Sequence, residues 1–222
     1  MKEASATLST MHPRRHFGPG VILFALLVLA VAVPIAWNNG LRDQFIPRNF
    51  GVVEPGRLYR SGQISARLIE PTLKRYGIES IVALADAGMK PADQAAEERA
   101  ATGLGVERNV FPLSGDGTGR LEEYADAIAA IDRAVHQGKP VLVHCVAGAQ
   151  RSGGVIAAYQ VLVEKRSPQE AFAEMRRFGH DPHDNPHLLE YLNDHMGELG
   201  RRLVELGVID QVPDPIPVVK AE

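Results

Sequence analysis

Hydrophobic and polar positions divide the chain into two parts. Between Phe17 and Leu41 there is no Asp, Glu, Lys or Arg, and VILFALLVLAVAVPIAW is apolar almost without a break. A helix that crosses a bilayer needs about 20 mostly apolar residues, so the pattern predicts a short N-terminal tail (1–19) and a transmembrane anchor over 20–37. A buried core helix of this length would carry polar punctuation. A cleaved signal peptide, with Ala30-Val31-Ala32 as a small-residue cleavage site, is the rival reading. The apolar run continues past that site to Trp37, a ring suited to a membrane interface, which favours an uncleaved anchor. Lys2, Arg14 and Arg15 precede the span, against Arg42 and Arg48 after it, which weights the N-terminus to the cytoplasmic side and the rest to the extracytoplasmic side.

Residues 38–50, NNGLRDQFIPRNF, are polar and broken by Gly40 and Pro47, the composition of a stalk. From Gly51 the pattern becomes globular. Extended pieces are expected around VVEPGRLYR, followed by a helix over SARLIEPTLKRYG. SIVALAD has the length of a strand. PADQAAEERAATGLG predicts a helix opened by Pro91 and closed by Gly103 and Gly105. VERNVFPLS is the next strand, SGDGTG a loop, and LEEYADAIAAIDRAVHQG a long amphipathic helix with glycine just after it. PVLVHC is a third, strongly apolar strand, and SGGVIAAYQVLVEK a buried helix. Ser167 and Glu170 frame a capping box for PQEAFAEMRRF. Helix continues to about Leu206, leaving 207–222 as a proline-rich, mobile tail. The domain proper is thus expected over 51–206.

Strands alternating with helices predict an α/β domain, a central mostly parallel sheet flanked by helices. Ligands of such sheets bind at the carboxyl ends of the strands. Three loops leave that edge: ADAG after Leu84, SGDGTG after Leu113, and CVAGAQRSGG after His144. They are expected to be neighbours.

Composition narrows the chemistry. A formal net charge of −3 in 222 residues provides no electrostatic footprint for a nucleic-acid binder. A single cysteine excludes a disulfide within the chain. That cysteine, Cys145, opens the third loop, where inward-pointing N–H groups and a helix start make an anion cradle. The lysine-containing nucleotide loop G-x-x-x-x-G-K-[ST] is absent. A helix N-terminus and a nearby cation stabilise a thiolate, and Arg151 can give a phosphate two parallel hydrogen bonds that tighten as charge develops. Ser152 can donate to the sulfur. Together they suit covalent phosphoryl transfer.

The segment His144-Cys145-x5-Arg151-Ser152 resembles the signature of the cysteine-dependent protein tyrosine phosphatase superfamily, and VAGAQRSG the dual-specificity-like branch. FGVVEPGRLYRSGQ, residues 50–63, is similar to the opening segment of small bacterial and fungal members, here of a membrane-anchored type. The resemblance implies hydrolysis of a phosphomonoester in two steps, with no cofactor and no metal. It assigns Cys145 as nucleophile, Arg151 to the phosphate, Ser152 to the leaving thiolate and His144 to tuning the thiol. The backbone of Val146, Ala147, Gly148, Ala149, Gln150 and Arg151 would line the cradle. A general acid is also needed. Asp116 in PLSGDGTG is the first candidate, with Asp86 and Asp181 as alternatives.

The cluster His180, Asp181, His183, Asp184 and His187 lacks the spacing that sets two metal ligands on one helical face; a polar loop, or contact with the substrate rim, is expected. The five residues between Cys145 and Arg151 are uncharged, which weakens a polyphosphoinositide reading unless Arg60, Lys90 or Arg120 lines the mouth. A phosphorylated protein or small phosphomonoester is the expected partner, at a shallow site. A rhodanese-like sulfurtransferase and a membrane-tethered phosphopeptide-binding module stay open as rivals.

Overall fold

The computed structural model describes residues 18–84 and 88–220. The chain divides after Leu41 into two compact units. In the first, helix α1 (Pro19–Ala36) starts on Pro19, whose fixed φ suits a first helical position, and a π-helical turn follows at Trp37–Leu41. Leu23, Phe24, Leu26 and Leu27 of α1 are all more than half exposed. Eighteen residues rise about 27 Å, slightly less than the roughly 30 Å of a hydrocarbon core. Among the described residues, no helix is long and apolar enough to cross a membrane. A helix forms where the anchor was expected, but its length does not establish a span.

The second unit begins at Arg42, so most of the expected stalk belongs to the domain. Phe50 stacks on Tyr59 and Tyr76, and Asn49 reaches three backbone carbonyls at 2.9–3.3 Å. Its elements in order are β1 (Gly51–Glu54), β2 (Leu58–Ser61), α2 (Ile69–Tyr76), β3 (Ser80–Ala83), α3 (Pro91–Leu104), β4 (Glu107–Val110), α4 (Leu121–His136), β5 (Val141–His144), α5 (Gln150–Leu162), α6 (Pro168–Arg177) and α7 (His187–Glu205). The sheet order is β1-β2-β5-β3-β4. Only β1 runs antiparallel, as the first arm of a hairpin with β2. The sheet is therefore mixed, with the expected parallel core.

Strand side chains alternate between two faces, and the burial follows that period. Tyr59, Ile81, Ala83 and Leu142 join Leu73, Ala96 and Ala100 in a core with α2 and α3. Their neighbours Leu58, Val82, Val141 and Val143 join the larger core of α4, α5, α6 and α7. β5 is buried at all four positions because parallel strands lie on both sides and helices cover both faces. α5, which follows it, has a single unburied position inside its bounds, Gln150. The capping box at Ser167 and Glu170 is present, with both hydrogen bonds made.

The segment beyond 206 is not a loose tail over its described length. Val219 is fully buried and exchanges two hydrogen bonds of 2.8 Å with the Asn193 side chain on α7. A Cβ on Gly200 would lie 3.1 Å from Val212, so glycine allows that close approach. The prolines break helix without preventing packing of the apolar residues between them.

Candidate active site

The loop after β5 is shaped by what holds its carbonyls. Val146 O accepts the Gln63 N–H at 3.1 Å. Ala147 O and Gly148 O accept the Asn49 side-chain amide, and Gly148 O also accepts Arg60 Nη2 at 2.7 Å. Three successive carbonyls are thus tied to residues from 49 to 63, which supports an arrangement with the amides free for an anion. Gly148 takes φ +75°, and a Cβ there would come 2.4 Å from the Gly62 nitrogen. Only glycine fits this crossing.

Cys145 stands at the carboxyl end of the central strand, 2% exposed. Its Sγ accepts the Gly148 N–H at 3.2 Å. Burial pushes the thiol up, but hydrogen bonding from Ser152, first through its hydroxyl and then its backbone, the Gly148 N–H and the Arg151 guanidinium more than offset this, and hold it below its ordinary value. Ser152 Oγ is buried with no well-formed hydrogen bond elsewhere, which leaves it to the sulfur. Arg151, in the first turn of α5, donates from Nη1 to Leu84 O at 3.2 Å, and its buried Nε has no partner. One edge of the guanidinium is fixed by the end of β3; other donors remain for a ligand.

His144, 1% exposed, ends β5 with its Nε2 3.0 Å from Glu97 Oε2 of α3. Glu97 Oε1 accepts from Arg108 Nε of β4 at 2.8 Å. Glu97 was not expected at the site. It sits among alanines on a helix that the sequence marks only by its ends, Pro91 and the glycines Gly103 and Gly105.

The loop 114–119 lies beside the loop after β5, as its place on the sheet edge predicts. A Cβ on Gly115 would be 4.0 Å from Arg151 Nη2, and one on Gly117 3.1 Å from the Gln150 backbone. Asp116 is exposed, its Oδ1 accepting from Thr118 N at 3.0 Å and Thr118 Oγ1 at 2.9 Å. Tyr124 donates to Gly117 O of this loop; burial raises its hydroxyl pKa, and the charges of Tyr191, Asp116 and Cys145 add to the effect. Asp86 lies outside the described residues. Asp181 accepts the His183 N–H and pairs with Arg176 at 3.2 Å. Those contacts, the N–H first, hold its carboxyl below the usual range and so disfavour it as a proton donor.

The histidine-rich segment has a different role from the one its composition suggests. His180 is buried with Nδ1 2.7 Å from Gln150 Oε1, and Asn185 donates to Asp116 O. It braces both loops from behind. No group of three or more His, Cys, Asp or Glu among the described residues is placed to hold a metal. Arg60 does not line the mouth: it is fully buried beneath the loop, bound to both oxygens of Glu174 at 2.6–2.7 Å and stacked on Phe178. Lys90 and Arg120 are exposed at the N-termini of α3 and α4. Lys90 is fixed through its backbone by the Gln63 side chain.

A parallel strand that ends at a buried thiol of lowered pKa, with a loop amide 3.2 Å from the sulfur and a guanidinium in the first turn of the next helix, defines a class: α/β domains with a cysteine-to-arginine loop at the carboxyl edge of the sheet. The family model for the dual specificity phosphatase catalytic domain matches residues 65–197, and the chain belongs to that family. Dual specificity protein phosphatase OPG106 of Monkeypox virus is 42% identical over 58 residues, 26% of this chain and 34% of the viral protein. The chain therefore spans about a third of the length of the curated relatives it matches. Among solved structures, TpbA of P. aeruginosa superposes with a TM-score of 0.56 at 24% identity, covering 71% of this chain and 91% of that one. The core catalytic domain of the PP-IP phosphatase SIW14 from S. cerevisiae gives 0.55 at 21% identity, with 72% and 93% covered. At these identities the likeness concerns the fold.

Proposed function

We propose that the protein hydrolyses phosphomonoesters through a cysteinyl-phosphate. The observation that carries this reading is the Cys145 sulfur, with its lowered pKa, standing 3.2 Å from a loop amide beside the Arg151 guanidinium. The Cys145 thiolate attacks phosphorus while the bond to the leaving oxygen breaks, and Asp116 gives that oxygen its proton. Water then attacks phosphorus, the Asp116 carboxylate takes its proton, and the sulfur departs as thiolate with the Ser152 hydroxyl donating to it. The amides from Val146 to Arg151 and the guanidinium hold the equatorial oxygens through both steps.

The substrate class is a phosphorylated protein. The loop itself supplies one charged side chain, Arg151, and Arg60 is committed to Glu174, so of the three cations expected at the rim Lys90 and Arg120 remain as candidates. A solved structure of TpbA holds pTyr and one of PTPMT1 holds PI(5)P; the uncharged VAGAQ favours the first kind of ligand. The exposed apolar side chains of α1 and the uncharged run around it support a membrane tether, and the excess of basic residues before the run over those after it supports an extracytoplasmic domain.

The test is turnover of phosphotyrosine, phosphothreonine and inositol phosphate substrates by the full chain. Cys145→Ser should abolish it and chelators should leave it unchanged; activity surviving in Cys145→Ser, or thiosulfate-to-cyanide transfer in its place, would overturn the reading. Asp116→Asn should lose about 100-fold on poor leaving groups and flatten the basic limb of the pH profile. Membrane partition of the full chain, compared with residues 42–222, tests the tether.

A further inference from the structure

Glutamate is almost never fully buried unless it is paired. Glu97 is buried and paired twice, with His144 at 3.0 Å and with Arg108 at 2.8 Å. The side chains of His144, Glu97 and Arg108 are 1%, 3% and 13% exposed. These three groups come from β5, α3 and β4, and the chain continues directly from His144 into Cys145. Arg108, Glu97 and His144 thus form a buried series of alternating sign, and the Cys145 sulfur lies near enough for its charge to act on the imidazole. With His144 neutral, the thiolate has an uncharged ring as its neighbour in sequence; with His144 protonated, the series closes as plus, minus, plus, minus.

We propose that Glu97 is a positioning residue that holds His144 as an imidazolium and thereby keeps Cys145 in its thiolate form. The proposal rests on Cys145 being the nucleophile, and it places part of the control of that nucleophile on a helix outside the signature loop. The groups that face His144 are Glu97 from α3, Arg108 from β4 and Cys145 from the loop. Burial and Arg108 oppose protonation; Glu97, by charge and contact, and Cys145 favour it and prevail. Cys145 itself is faced by Arg151 and Ser152 of α5, and its charge reaches Tyr124 of α4. Arg151 thus acts on the sulfur directly, whereas Glu97 acts through the imidazole.

The experiment titrates the thiolate in the absence of substrate, by its ultraviolet absorbance and by the rate of iodoacetamide alkylation, in wild type, Glu97→Gln, His144→Asn and the double variant. Glu97→Gln should move the midpoint up by about 1 pH unit and slow alkylation below it about tenfold. In the His144→Asn background, Glu97→Gln should change nothing further. An unchanged midpoint in Glu97→Gln, or an equal shift with His144 absent, would overturn the relay. Should the variants not fold, histidine ring resonances of the wild-type protein decide: His144 must titrate above the ordinary histidine value of about 6.5, and titration at or below it sinks the proposal. Because no turnover is read, a protein that shows this titration but hydrolyses no phosphomonoester would refute the proposed function and leave the relay standing.

Discussion

Arg60 shows how one side chain can shape a site it never enters. Fully buried, it joins Glu174 of α6 to Gly148 O of the loop, so the ion pair and the loop geometry share one guanidinium. Removing one partner of a buried pair costs about 3–5 kcal/mol. Glu174 keeps some exposure, so Arg60→Met should lower the unfolding free energy by about 3 kcal/mol in urea titrations and weaken phosphate-analogue binding as well. Glu97 carries a pH signature. Its carboxyl is held at about 2 against 4.5 for the free group; burial opposes this, but His144 and then Arg108 prevail. The folded value is lowered, so its stabilisation is complete above the ordinary carboxylate range and is lost as pH falls from about 4.5 to about 2. His144, raised, contributes below its unfolded value and loses that contribution as pH rises through its folded one. The two are a single interaction and count once, at about 3 kcal/mol. The stability gap between wild type and Glu97→Gln should therefore narrow as pH falls through that acid window, in denaturant titrations run across it.

At the scale of elements, the loop carrying Asp116 is pinned from three sides. Asn185 before α7 donates to Asp116 O, Tyr124 of α4 to Gly117 O, and Tyr191 of α7 to Gly119 O. Asn185→Ala releases the first of these. It should cut kcat on alkyl phosphates about tenfold while barely changing turnover of p-nitrophenyl phosphate, whose leaving group needs no proton; equal losses on both would show that the loop does more than present an acid. The nucleophile loop was legible in the sequence because its parts are contiguous: strand, cysteine, glycine, arginine and helix fall within one stretch. The capping box at Ser167 was legible for the same reason. The braces were not. Asn49 meets Phe178, Arg60 meets Glu174 and His180 meets Gln150 across spans of sequence that periodicity cannot register. Asn49 and Arg60 come from segments read as stalk and rim, and a buried polar residue looks like a surface one until its partner is known.

For the whole molecule, the same limit misread the end of the chain. The prolines of VPDPIPVVKAE suggest a mobile tail, yet Val219 is buried against α7 through Asn193. Ending the chain at Leu206 exposes that side of α7. Losing the burial of Val219 with its two hydrogen bonds, and the packing of Val208, Ile209 and Val212, should cost at least about 2 kcal/mol, seen as a lower urea midpoint. Removing residues 1–41, which form a separate unit, should leave that midpoint unchanged. The parallel core, the helices that flank it and the sheet edge that carries the site follow from the alternation of strand and helix; the order of the strands and the packing of the chain's last residues do not.

The chain has one sulfhydryl, and the surroundings that lower its pKa also favour its reaction with peroxide. Oxidised to the sulfenic acid, Cys145 finds no second thiol in its own chain with which to form a disulfide. Its recovery must be bimolecular: peroxide-treated protein should stay inactive after dilution and regain activity at a rate proportional to added dithiothreitol, so that its working state is set by the reductant around it.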